Sequence, residues 1–299
     1  MGTNYRPELV EKLTEGILNL TSSEEWLRYL DFQGRFHSYS FGNVLLIAAQ
    51  MPHASRVAGF RSWQRANRFV RKGEKAIWIL APMVYKQTDE ANDEGQHVIR
   101  GFKYVPVFDV SQTDGEELPT PCHKLLGSDT AGCFAKLVAV AHSLDFSVED
   151  AELPGTTNGD CSHELHRIRV ELSNSPVQRV KTLAHELAHA ILHEKFESRA
   201  IAELEAESTA YVVSESLGID SSDYSFGYVA NWAGGGDTAI AAIKVVGDRI
   251  QKTAEQILDG LGAAASEAAR APRVTDSRWQ RRREVVRRLQ GSRRAFSAT

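Results

Sequence analysis

Cysteine is scarce in this chain of 299 residues: Cys122, Cys133 and Cys161 are scattered, odd in number, and form no CxxC pair. That argues against a disulfide framework and against a cysteine-ligated zinc site, and a reduced, cytoplasmic setting is expected. Long apolar runs are missing too. No stretch approaches the roughly 20 residues that a membrane helix needs, so no membrane partner is expected. The opening MGTNYRPELVEKL lacks the basic-then-apolar order of a secretory signal. The formal net charge is only -4, so no global cationic field draws the molecule to nucleic acid, and any such role must rest on a local patch. Internal repeats and Gly/Ser tracts are also absent. What remains is the composition of an ordinary globular protein, long enough for two hydrophobic cores.

Apolar spacing at Leu9, Val10, Leu13, Ile17 and Leu20 predicts a helix over residues 6–20. Ser22 or Ser23 can cap a second from Glu24, and a third runs from about Phe41 to Met51. Runs rich in Ile, Val, Tyr and Phe predict strands over 76–84 and 102–110, joined as a hairpin by the polar TDEANDEGQ. TDGEELPTP (113–121) reads as a linker, and we place the domain boundary there. Beyond it, a helix is expected over 131–143 and a half-buried strand over 167–172 (RIRVEL). Another helix is capped by Ser175 with Pro176 at its first position, and one more runs from Arg199 to Leu217, stopped by Gly218. From Arg270 to Arg294 ten arginines face only Asp276 and Glu284. The fold class is α+β. An N-terminal α+β domain (1–115) is expected to precede a mainly helical domain (122–266) and a basic tail (267–299).

The segment VKTLAHELAHAILHE carries the chemistry. His185 and His189 are four apart, which on a helix puts both imidazoles on one face, within reach of one zinc ion at about 2.0–2.1 Å each. Glu186 stands beside that position as a general base. At about 100° per residue, Val180, Leu183, Leu187 and Ile191 gather on the opposite side, so the helix has a core stripe and a separate ligand face. The alternative, an amphipathic surface helix with unconnected histidines, fits a capped and striped helix poorly.

A catalytic zinc needs a third protein ligand and an open position. His193 lies about 12 Å along the axis from His185, at about 1.5 Å per residue, too far for one ion. The histidine expected six residues after His189 in one metallopeptidase pattern is Lys195 here. The acidic helix AELEAESTAYVV offers Glu203 and Glu207 on one face, with Glu205 pointing away. One carboxylate can bind the ion while the other holds a histidine's second nitrogen. RIRVEL, just before the HExxH helix, could pair with an extended substrate through a free edge, or be an ordinary sheet strand. His163 and His166 flank it as surface residues rather than ligands. Tyr211, a turn from Glu207, is a candidate oxyanion donor.

KTLAHELAHAILH, then ELEAESTAYVV, then SLGID and YVANWAGG, resembles the C-terminal half of ArdC-like antirestriction proteins. More distantly it is similar to zinc peptidases of the ImmA/IrrE type. The resemblance implies a zincin-like domain with His185, His189 and Glu203 as zinc ligands and Glu186 as the catalytic residue. Glu207 departs from the family's Asn/Asp position. SYSFGNVLLIAAQ and GFRSWQRANRFVRKGEKAIWILAP resemble the ArdC N-terminal domain, which implies single-stranded DNA binding and a role on plasmids and mobile elements.

The residues of that stretch agree in part. From Arg56 to Lys75 seven cations face one acid, Glu74, with Phe60, Trp63 and Phe69 interleaved. Cations along a phosphate backbone and aromatic faces for bases are what single-strand binding requires, although aromatics are more often core residues. The candidate DNA contacts are Arg35, Tyr39, Asn43, Arg61, Trp63, Arg68, Arg71, Lys72 and Lys75. The first expectation is a zinc peptidase acting on an unidentified protein substrate and binding single-stranded DNA. The alternatives are a DNA-coating protein with a structural or regulatory metal, and a regulatory protease that cleaves a repressor.

Overall fold

The computed structural model describes residues 6–20, 22–89, 92–118, 130–195, 198–219 and 236–270. Cys122, the YVANWAGG segment and residues 271–299 of the arginine-rich tail lie outside them. Three helices open the chain: α1 (Pro7–Asn19), α2 (Ser23–Arg35) and α3 (Phe41–Gln50). Ser22 caps α2, its hydroxyl accepting from the Glu25 amide at 3.2 Å. A two-residue strand β1 (Val57–Ala58), a short helix α4 (Phe60–Arg65) and β2 (Arg68–Val70) follow. The expected hairpin is β3 (Ile77–Asp89) with β4 (Asn92–Asp109). Its strands run further into the polar connection than side-chain propensity indicates, because backbone pairing continues to Asp89 and Asn92. Alternation places Ile77, Ile79 and Val107 on the buried face, and β1 completes an antiparallel sheet in the order β1-β4-β3.

One expectation is corrected here. Thr113–Gly115, read as the start of a linker, is a strand, β5, paired antiparallel with β2. It carries almost no apolar side chain and so gave no strand signal. It is held instead by backbone pairing and by Arg68, whose guanidinium donates to the Thr113 hydroxyl and carbonyl at 2.8 and 2.9 Å. Gly115 has φ +139° and lies against the Asn67 carbonyl, where a side chain has no room.

The remaining described elements are α5 (Thr130–Ser143), β6 (Ser147–Ala151), β7 (Gly159–Ser162), β8 (Arg167–Glu171), α6 (Pro176–Leu192), α7 (Arg199–Ser216) and α8 (Gly236–Arg270). A further sheet has the order β6-β8-β7, with β6 parallel and β7 antiparallel to β8. The RIRVEL strand is therefore central and has no free edge, which removes it as a substrate-pairing strand. Ile168 and Val170 on β8 are fully buried under α6. The described residues up to Gly262 pack as one unit. No helix among them is long and apolar enough to cross a membrane.

Candidate metal centre

Ser175 caps α6 by accepting from the Gln178 amide at 3.2 Å, and Pro176 occupies the first helical position. Val180, Leu183 and Leu187 are fully buried, which fixes the rotation of α6 and turns His185 and His189 to the other side. Ser198 caps α7, which buries Ala202, Ala206 and Ala210 and packs against α6.

This packing brings three donor atoms together. His185 Nε2 lies 3.0 Å from His189 Nε2 and 3.5 Å from Glu203 Oε2, and His189 Nε2 lies 3.7 Å from the same oxygen. Tetrahedral ligands at about 2.0–2.1 Å from a zinc ion stand about 3.3–3.4 Å apart. The three separations bracket that value, so the donor set fits a small divalent ion in number, type and spacing. Of the two carboxylates that spacing put on one face, Glu207 is the one beside a histidine's second nitrogen: its Oε2 is 3.0 Å from His185 Nδ1, which leaves Nε2 directed at the ion position.

The electrostatics follow from the same crowding. Burial opposes charge on His185, but hydrogen bonds to Glu203 and Glu207 outweigh it and raise its pKa to about 9. His189 is pushed down to about 4 by burial and by the neighbouring His185 and His193. Glu203 is held at about 2, chiefly by its hydrogen bond to His185. Glu186 is buried, and burial, reinforced by Asp160 and Glu203 against the pull of His185, raises its carboxyl to about 7. A carboxyl poised there can both take and return a proton at neutral pH. It lines a cleft of about 340 Å³ with Asn158, Gly159, Lys181, Thr182 and Glu207. The strand beside this cleft is β7, at the sheet edge, rather than β8.

Neither His163 nor His166 joins the three donors. His163 Nε2 lies 3.1 Å from the His189 carbonyl, and His166 turns toward Asp145. Tyr211 is buried and does not line the cleft. His193, excluded as a ligand by distance, faces His189 with its Nδ1, and Glu205, which turns away from the ion position, meets His193 instead. That pairing is invisible in sequence, because it depends on how two helices meet.

The candidate DNA contacts divide. Trp63 is corrected: it is 3% exposed, with its indole N–H bonded to the Phe108 carbonyl at 2.9 Å, so its ring serves the core and cannot stack on a base. Asn43 bonds both backbone groups of Leu80 at 2.8 Å, and the Tyr39 hydroxyl donates to the Val57 carbonyl, so both tie elements together. Arg68 braces β5, and Arg71 pairs with Glu74 and Asp114. Arg35 pairs with Asp31 over the Phe32 ring. Arg61, Lys72 and Lys75 are exposed. Within residues 56–75 the exposed aromatics are Phe60 and Phe69, at 48% and 59%. Exposed phenyl rings within a basic stretch are the informative observation. For Phe69 the signal was the alternation of RFV on β2.

Residues 6–110 match the model of the N-terminal domain of anti-restriction factor ArdC, and residues 140–215 match an IrrE N-terminal-like domain. The second span contains His185, Glu186, His189, Glu203 and Glu207. An uncharacterized protein of Bacillus anthracis is 27% identical over 308 residues, covering 88% of this chain. The chain spans about half the length of that curated relative, 52%. Two crystal structures of the antirestriction ArdC protein from the R388 plasmid are similar. The metal-free one is 22% identical, with a TM-score of 0.44, covering 77% of this chain and 85% of that one. The Mn(II)-bound one is 20% identical, with a TM-score of 0.43, covering 81% and 98%.

Proposed function

As an ArdC-like protein, joining an N-terminal domain of the ArdC anti-restriction type to an IrrE-like, peptidase-type domain, this chain is, we propose, a zinc-dependent peptidase that also binds single-stranded DNA in an antirestriction role. The observation that carries the peptidase reading is the convergence of His185, His189 and Glu203 beside the buried Glu186. His185, His189 and Glu203 would hold the metal. A zinc ion there would supply Lewis acidity to a water molecule and to the scissile carbonyl. Glu186 removes a proton from the attacking water as its oxygen bonds to the carbonyl carbon, and returns that proton to the amine nitrogen as the C–N bond breaks. Its raised pKa suits both halves of that exchange. Glu207 keeps the His185 ring oriented. As the edge strand next to the cleft among the described residues, β7 offers backbone groups to an extended peptide.

The DNA reading rests on the surface of the first 75 residues rather than on overall charge. Arg61, Arg65, Lys72 and Lys75 are exposed together with Phe60 and Phe69. Cations supply affinity that falls with salt, and a phenyl ring stacked on a base contributes about 1–3 kcal/mol. This same surface favours the second reading, in which coating DNA is sufficient and cleavage plays no part in protection.

Glu186→Gln separates these readings, because it removes the base and keeps every proposed ligand. The full-length protein should hold about one zinc per chain, and His185→Ala should abolish that binding. Cleavage of unfolded casein should fall by at least about 10²-fold in Glu186→Gln, while zinc content and oligo(dT) binding persist. Casein cleavage at the wild-type rate in Glu186→Gln would sink the peptidase reading. Protection from restriction that survives the substitution selects the coating mechanism. Phe60→Ala with Phe69→Ala should weaken oligo(dT) binding at unchanged zinc content. Unaltered binding in that double variant would remove the aromatic surface from the argument.

A further inference from the structure

A second row of polar groups lies behind His189, away from the cleft. His189 Nδ1 is 2.9 Å from His193 Nδ1, and His193 Nε2 is 2.9 Å from Glu205 Oε2. Glu205 Oε1 is 3.0 Å from Nε of Arg249 on α8, and Arg249 also donates to the Leu192 carbonyl at 3.2 Å. The side chains of His193 and Glu205 are both only 2% exposed. A buried carboxylate is costly, and a buried ion pair is commonly no more stable than apolar residues of the same volume. Simple packing therefore gives no reason for these groups.

Proton bookkeeping gives one. A carboxylate only accepts, so His193 must carry its proton on Nε2 to bond Glu205. A neutral His193 then presents a bare lone pair at Nδ1. That atom can only accept, so His189 must carry its proton on Nδ1. With Nδ1 protonated, the Nε2 of His189 is a lone pair, and Nε2 is the atom that converges with His185 and Glu203. Each link fixes the tautomer of the next, and the Arg249 guanidinium balances the charge at the far end.

We propose that His193, Glu205 and Arg249 are positioning residues that hold His189 in the Nδ1–H tautomer with its Nε2 directed at the metal position. The inference rests on the metal reading above and adds a support for the second histidine, as Glu207 supports the first. It also ties the metal centre to α8, because Arg249 belongs to neither helix that carries a ligand. Glu205, the acid that spacing sets apart from Glu203 and Glu207, thereby has a role of its own.

Two measurements on the full-length chain test this. In imidazole ¹⁵N–¹H spectra of the wild-type protein freed of metal, His189 should show the Nδ1–H tautomer, and the Nε2–H tautomer overturns the proposal whatever any variant does. In a chelator competition with zinc alone, His193→Phe should weaken affinity by about 10–100-fold, the scale for losing such a support. His193→Gln can accept from His189 through its oxygen and donate to Glu205 through its nitrogen, so it should restore affinity to within a few-fold of wild type. A purely structural tie predicts that His193→Phe lowers thermal stability and leaves zinc affinity unchanged, and that result overturns the relay. If zinc binding is lost in His185→Ala but untouched in His193→Phe, the relay fails and the metal reading stands. If the wild-type chain binds no zinc at all, both fall.

Discussion

At the scale of single residues, Cys161 reports on the charge around the cleft. It sits on β7, and burial first, then the negative Glu186 and Asp160, push its thiol up to about 12 from an ordinary 9. A raised thiol pKa means that the folded state favours the protonated form. Its contribution to stability is therefore complete below about pH 9 and is lost as the pH rises toward 12. At pH 8 the thiolate fraction is on the order of 10⁻⁴, far below that of an exposed cysteine. Iodoacetamide should thus label Cys161 much more slowly in the native protein than in urea, as read by peptide mass spectrometry. Glu186→Gln should speed native labelling by removing one of the two charges. Equal rates in native and unfolded protein would contradict the assigned environment. The neighbours of Cys161 could not be read from sequence, since Glu186 is 25 residues away on another element. The closeness of His185 and His189 was legible, because it follows from helix periodicity alone. Trp63 was not: a tryptophan among arginines gives no local sign of whether its ring faces inward.

At the scale of elements, local periodicity told the type of most segments, while neighbours across a sheet stayed hidden. RIRVEL alternates as a strand should, and its first five residues form one, yet nothing in them says that strands lie on both sides. The strand β7, GDCS, has too little apolar content to announce itself, although it borders the cleft. The long helix α8 was not anticipated either. Its buried Ile243, Val246, Ile250 and Ile257 follow helical spacing and were open to the same reading as α6. Gly159 shows why β7 matters. A Cβ there would meet Thr182 Cγ2 at 2.5 Å and both the Arg169 carbonyl and Glu186 Oε1 at 3.0 Å. Gly159→Ala must therefore push β7 away from α6 or displace Glu186. We expect a loss of about 1–3 kcal/mol of stability from overpacking. Casein cleavage should fall by more than stability explains, toward the about 10²-fold that a misplacement of about 1 Å can cost. Wild-type melting temperature together with wild-type cleavage in Gly159→Ala would show that β7 does not press on the helix that carries Glu186.

At the scale of the whole molecule, the spans matched by the two family models share one core. Trp26 on α2 is fully buried, and its indole N–H donates to the Ser208 hydroxyl on α7 at 3.0 Å, one residue from Glu207. A few turns on, the Ser216 hydroxyl donates to the Gly34 carbonyl at 2.8 Å, and Gly34 lies so close to Glu215 that a Cβ would stand 2.9 Å from that side chain. From α8, Gln251 reaches the His37 carbonyl at 2.9 Å. One continuous set of buried apolar residues joins Ile17 and Phe41 to Leu187, Val213 and Ile257. Residues that share a core unfold together, so the described residues up to Gly262 should melt in one transition. Trp26→Phe tests this, because it removes the donor to buried Ser208 and leaves space beside α7. The cost should be about 2 kcal/mol, which for a unit of this size lowers the melting temperature by about 4–8 °C. If the core is shared, zinc release, loss of oligo(dT) binding and the calorimetric transition should all shift together, although Trp26 touches neither proposed site. Two resolved transitions in the wild-type protein, or a Trp26→Phe protein whose zinc release stays at the wild-type temperature, would mean that the two spans are stabilised separately and that the contact between α2 and α7 is incidental.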